Sequence, residues 1–198
     1  MLKYLIVAVL SLSGISATAQ YAPENEAGLA AARAGDMQAA WDIWKPLADA
    51  GDARAQSNIG VMYDNGSIVA EDDAEAVRWF LLAAEDGFPT GQFNLANMYK
   101  NGAGVEQNLT VALGWYHAAA RQGHPQAQMA LMQAYYFGNG ATPDNALAYM
   151  WITIAAEAGF AEAMESLADF EARIGKAAVA GGRAMAAKCM PIGLENCP

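Results

Sequence analysis

Two histidines and two cysteines, with a few serines, are the residues here most able to act as base, metal ligand or nucleophile. Serine acyl transfer calls for Ser-x-x-Lys or Gly-x-Ser-x-Gly with a base nearby. Neither pattern occurs beyond residue 19. His117 follows the aromatic Tyr116 and His124 follows Gly123, so each is expected at a surface or rim rather than as a base or ligand. There is no His-Glu-x-x-His, Walker-type glycine loop or dinucleotide-binding glycine fingerprint. Cys189 and Cys197 have seven residues between them. That lacks the close spacing of a redox pair and the additional ligands of a zinc site. Asn65-Gly66-Ser67 and Asn108-Leu109-Thr110 match glycosylation acceptors but read most simply as a turn and a helix start. No catalytic residue, cofactor or metal is expected.

The elements that would position any site are instead unusually plain. Gly51, Gly87, Gly123 and Gly159 recur every 36 residues, and so do Tyr63, Tyr99 and Tyr135; Gly66, Gly102 and Gly138; Ala76, Ala112 and Ala148; and Trp79, Trp115 and Trp151. Such a period marks a tandem repeat. Each full unit reads as helix A, loop, helix B, turn. Helix A is expected over 53–63, 89–99 and 125–135, with apolar or small residues at i, i+4, i+7 and i+8 on one side. Helix B is expected over 73–85, 109–121 and 145–157, with Ala76, Phe80, Ala83 and their copies inward. Asp36, Asp72, Asn108 and Asp144 share the column before helix B and suit an N-cap; Glu75 would complete a capping box with Asp72. The turn glycines would close each helix B in the left-handed conformation. Helices over 161–174 and 176–188 finish the chain, the second carrying Gly181-Gly182 and serving as a C-terminal cap. The recurring methionines read as core filling, with an adaptable binding surface as the other possibility.

Residues 1–19 read as a secretory leader: Lys3, an apolar run from Leu5 to Leu10, then Ala17-Thr18-Ala19 as a cleavage pattern. A retained N-terminal anchor is the alternative. An exposed lead-in is expected over 20–26, the repeats over 27–170, and a capping helix with its tail over 171–198. Among later segments none is apolar enough to cross a bilayer. The formal charge is −10, and −11 once Lys3 leaves with the leader. Such acidity disfavours nucleic acid and favours a protein partner with a basic surface. An exported chain meets an oxidising compartment, where Cys189 and Cys197 are expected to pair. Two free thiols, or redox or metal chemistry, are the other readings. Closing so short a loop would contribute about 2.5 kcal/mol on the chain-entropy estimate.

Ala-x-x-Gly at 84–87, Met-Tyr-x-x-Gly at 98–102 and Ala-x-x-Trp-Tyr-x-x-Ala-Ala at 112–120 resemble the Sel-one-like repeat family, an α-solenoid relative of the tetratricopeptide repeats. The loop Asn101-Gly102-Ala103-Gly104-Val105 resembles that family's glycine-valine loop. The resemblance implies an all-α solenoid and an adaptor role in signalling, envelope assembly or secretion. One cysteine-rich branch of the family is linked to β-lactam binding or hydrolysis, with a disulfide inside each repeat. Here no cysteine lies in a repeat, so that activity is not carried over.

Function is sought where the units disagree. The helix A face opposite the packed columns holds Arg54, Ser57, Asn58 and Val61, then Thr90, Phe93, Asn94 and Asn97, then Gln126, Met129, Ala130 and Gln133. The spacing i, i+3, i+4, i+7 makes one stripe per helix. In a stack, these stripes would adjoin as a concave groove, where Phe93 and Met129 beside amides suit a peptide or loop. The other reading is a set of unconstrained solvent positions. The expectation is a periplasmic or secreted, non-enzymatic adaptor of unspecified oligomeric state. Two alternatives remain: an envelope hydrolase, β-lactamase-like or peptidoglycan-directed, and a periplasmic regulator of a membrane sensor.

Overall fold

Asp36, Asp72, Asn108 and Asp144 each accept, through a side-chain oxygen, the N–H of Ala39, Glu75, Val111 and Leu147 respectively, at 2.9–3.0 Å. These caps open α2 (Met37–Asp49), α4 (Asp73–Glu85), α6 (Leu109–Arg121) and α8 (Asn145–Glu157). Between them run α3 (Ala53–Asp64), α5 (Pro89–Asn101) and α7 (Pro125–Phe137), preceded by α1 (Pro23–Arg33) and followed by α9 (Ala161–Ile174) and α10 (Lys176–Cys189). The computed structural model describes residues 23–190 and 193–198. The expected leader lies outside them. The fold is all-α, and among the described residues no helix is long and apolar enough to cross a membrane.

Two expectations are corrected. The lead-in over 20–26 is not wholly exposed chain, since α1 already begins at Pro23 and Asn25 is buried. The capping box at Asp72 does not form. The Asp72 N–H that Glu75 would satisfy instead donates to Tyr63 O at 3.0 Å, while Glu75 pairs with Arg78. Asn108 and Asp144 bond Tyr99 O and Tyr135 O in the same way, both at 2.9 Å. Each loop is thus pinned where it leaves helix A and where it meets helix B.

The turns follow the expected chemistry. After α4, for example, the Phe88 N–H reaches back to Ala83 O at 2.9 Å around Gly87, whose φ is +80°. A side chain in that left-handed region would be strained. Successive helices then pack in chain order, and α5, for one, lies between α4 and α6 and also touches α3. Ala55, Ile59, Leu95, Ala127 and Leu131 of the A helices and Ala76, Phe80, Ala83, Ala112, Ala119, Ala148 and Ile152 of the B helices are buried. Small residues set the closeness of the axes: a Cβ on Gly91 would lie 2.6 Å from that of Ala83.

The end of the stack departs from the repeat. Helix α10 lies along α8 much more than along α9. A Cβ at Gly182 would come within 2.4 Å of Ala146 O, which accounts for the glycine pair. Covered by α7, α9 and α10, α8 buries every residue from Ala148 to Ala155, including all of Trp151. Trp79 and Trp115, its counterparts, remain half-buried. Cys189 and Cys197 are joined with their Cα atoms 5.1 Å apart. Arg121 Nε donates to Cys197 O at 3.1 Å, fastening the 3-10 turn Leu194–Asn196 to α6.

Candidate interaction surface

Each A helix is flanked by the B helix of its own unit and by that of the preceding one, so its buried arc is wider than one-sided packing predicts. The widening takes in two columns. Gln56, Gln92 and Gln128 are buried, and each donates its side-chain N–H to a carbonyl near the end of the preceding B helix: Ala48, Ala84 and Ala120, at 3.4, 3.2 and 3.1 Å. The next column holds Ser57 and Met129, only 1% and 6% exposed. Their expected place on an open groove is therefore corrected. Ser57 is enclosed in α3, and Met129 belongs to the core around Trp151.

The rest of the stripe divides in two. Val61, Thr90, Gln126 and Gln133 are exposed. Arg54 is partly covered and pairs with Glu26 of α1 at 2.7 Å. Asn58, Phe93, Asn94 and Asn97 are half-buried, and two of them are held from the neighbouring helix. The Tyr116 hydroxyl donates to Asn97 Oδ1 at 2.5 Å, and Phe93 stacks on His124 with ring centres 4.8 Å apart. Burial pushes the Tyr116 hydroxyl up to about 12.

The histidines are woven into the packing more than a rim position implies. His117 Nε2 lies 2.9 Å from Tyr135 Oη, and its ring meets Tyr135 and Trp151 edge-on. Burial, aided by the nearby Arg121 charge, lowers its pKa to about 4. His124 Nδ1 accepts the Ala127 N–H at 3.3 Å and so caps α7; burial lowers its pKa as well. The hydrogen-bond partners of the two rings are thus a tyrosine hydroxyl and a backbone N–H. Among the described residues no three His, Cys, Asp or Glu side chains gather as a metal site.

Two clefts open on the A-helix side. One, about 600 Å³, crosses three units at the starts of α3, α5 and α7, with Arg54, Thr90 and His124 among its walls. The other, about 350 Å³, lies between α7 and α9 and takes in Gln133. Its aromatic lining, Tyr136, Phe137 and Phe170, escapes the sequence reading because Tyr136 and Phe137 fall beyond the helix expected over 125–135, which extends to Phe137, and because α9 is not compared with the three repeats. Continuing the stripe's columns onto α9 gives Glu162, Glu165, Ser166 and Asp169. These surfaces offer hydrogen-bonding side chains and apolar walls.

The Sel1 repeat family matches residues 53–88, 89–124 and 125–160. Among solved structures, a Sel1 repeat protein from Oxalobacter formigenes is 31% identical with a TM-score of 0.70, over 77% of this chain and 61% of its own. A protective antigen of uropathogenic Escherichia coli strains, displaying an SLR fold, is 33% identical with a TM-score of 0.66, over 73% of this chain and 32% of its own. The chain thus spans less than two thirds of either. No curated protein matches it.

Proposed function

Since the chain belongs to the Sel1 repeat family, a non-catalytic scaffold fold that generally mediates protein–protein interaction, we propose that it is an exported adaptor holding a protein partner along the groove of its A helices. The observation that carries this reading is the cleft of about 600 Å³ walled by equivalent turns of three successive units. A repeated framework supplies its shape, while Arg54 and Thr90 among its walls, in a column that continues as the exposed Gln126 on α7, supply differing side chains. An extended surface of fixed spacing and variable chemistry is what solenoids use to hold another chain. The joined cysteines are compatible with a compartment outside the cytoplasm, and the acidic balance favours a partner with a basic face.

Thr90 and Gln126 are exposed, so a Thr90→Arg, Gln126→Arg chain keeps the fold while reversing the groove's character. Tagged wild-type protein is expected to recover a specific partner from an envelope extract, and the double variant to lose it. Equal recovery by both would refute binding along this groove.

A further inference from the structure

The repeat changes character in one place. Asp64-Asn65 and Lys100-Asn101 end α3 and α5, but the same columns in α7 are Tyr136-Phe137. Phe137 is 66% exposed, although a polar residue serves that position in the earlier units. Tyr136 meets both Phe137 and Phe170 edge-on, with ring centres 4.8 and 5.1 Å apart. These rings line the cleft of about 350 Å³ between α7 and α9. Across it, Glu165 and Asp169 are exposed on one side of α9, four residues apart. Met164, 58% exposed, stands beside them on α9, in the column where the earlier units bury a glutamine. Arg173 is the only basic residue among the walls.

Resting on the adaptor reading above, we propose that this cleft receives a partner's polypeptide segment carrying a large apolar side chain flanked by lysine or arginine. The apolar group would lie against Tyr136, Phe137 and Phe170. The flanking cations would meet Glu165 and Asp169. An aromatic anchor inside a charged rim is the arrangement in which a few residues dominate affinity, and the acidic wall selects the sign of the ligand and repels anionic lipid or nucleic acid.

The test uses a fluorescein-labelled Lys-Lys-Trp-Leu-Lys-Lys peptide with the whole chain, read by anisotropy and by amide shifts in two-dimensional NMR. Saturable binding is expected, with shifts concentrated at 132–137 and 165–173. Replacing the peptide's lysines by glutamate, or Trp-Leu by Ala-Ala, is expected to weaken it about tenfold or more. Phe137→Ser and the Glu165→Lys, Asp169→Lys chain should do the same, with unchanged thermal melts because all three positions are exposed. No saturable binding, equal binding of the glutamate peptide, or shifts confined to the other cleft would overturn the proposal. So would a monomer–dimer equilibrium abolished by Phe137→Ser, which would assign the patch to a second copy. Peptide binding lost in Thr90→Arg, Gln126→Arg but kept in Glu165→Lys, Asp169→Lys would sink this cleft and leave the adaptor reading standing.

Discussion

Gln92 Nε2 donates to Ala84 O at 3.2 Å, joining the start of one A helix to the end of the preceding B helix inside the protein. Gln92 Oε1 in turn accepts from Gln122 at 2.8 Å, whereas Gln128 Oε1 is buried without a partner among the described residues. Replacing Gln128 by Met removes one hydrogen bond and one unsatisfied acceptor together; replacing Gln92 removes two bonds. Gln92→Met is therefore expected to cost about 2 kcal/mol and Gln128→Met below about 1 kcal/mol. Urea unfolding of both variants checks the order.

Acid should weaken the fold through His117. Its pKa in the folded protein, about 4, lies below the ordinary 6.5, so the unfolded chain takes up its proton first. This contribution is absent above pH 6.5, grows unfavourable as pH falls from 6.5 to 4, and then levels off. Allowing for partial exposure, about 2 kcal/mol is at stake. His124, also lowered by burial, acts with the same sign. Stability of wild type and His117→Gln, followed by urea between pH 7 and 4, should converge in acid. Parallel curves would show that the site does not couple to folding.

Glycines test the loop geometry from both sides. A Cβ on Gly104, where φ is +66°, would sit 2.3 Å from Asp73 O of the preceding unit, whereas one on Gly114 meets nothing within 4 Å. Gly104→Ala should cost about 2 kcal/mol or more through strain and collision. Gly114→Ala, exposed in mid-helix α6, should gain about 0.5–1 kcal/mol. Thermal melts of the pair decide.

Cutting the Cys189–Cys197 link should act locally. The bond closes a loop of eight residues' separation, for which about 2.5 kcal/mol is expected. The turn bonded to Arg121 would detach first. Hydrogen exchange after reduction, or in Cys197→Ser, should speed up over 176–198 while α3 to α5 stay protected; uniform acceleration would contradict a local cap.

The architecture was open to sequence reading because its determinants are local and repeated. N-caps, turn glycines and inward columns each recur in register, and α4, α6, α8 and α9 begin and end where the pattern puts them. What escaped are features created by neighbours two elements away. Ser57 and Met129 look like surface positions when one helix face is counted, yet both are buried in a stack where α3 also touches α5. The glutamine ladder was hidden because a polar residue beside a packed column reads as solvent-facing until its carbonyl acceptor is placed. Helix α8 did carry a signal: ALAYMWITIAA is apolar all round, which calls for cover on every side. Gly181-Gly182 supplied the matching half, since only bare backbone allows α10 to come so near.

The loop tips carry one more implication. Gly104 leans on Asp73 and Gly140 on Leu109, always onto the unit before. The modules α3–α4 and α5–α6 are each roofed in this way by their successor. Disassembly should therefore have a direction: a pull or a protease working from the C-terminal end uncovers one helix start after another, while loss of the first modules leaves the later roofs in place.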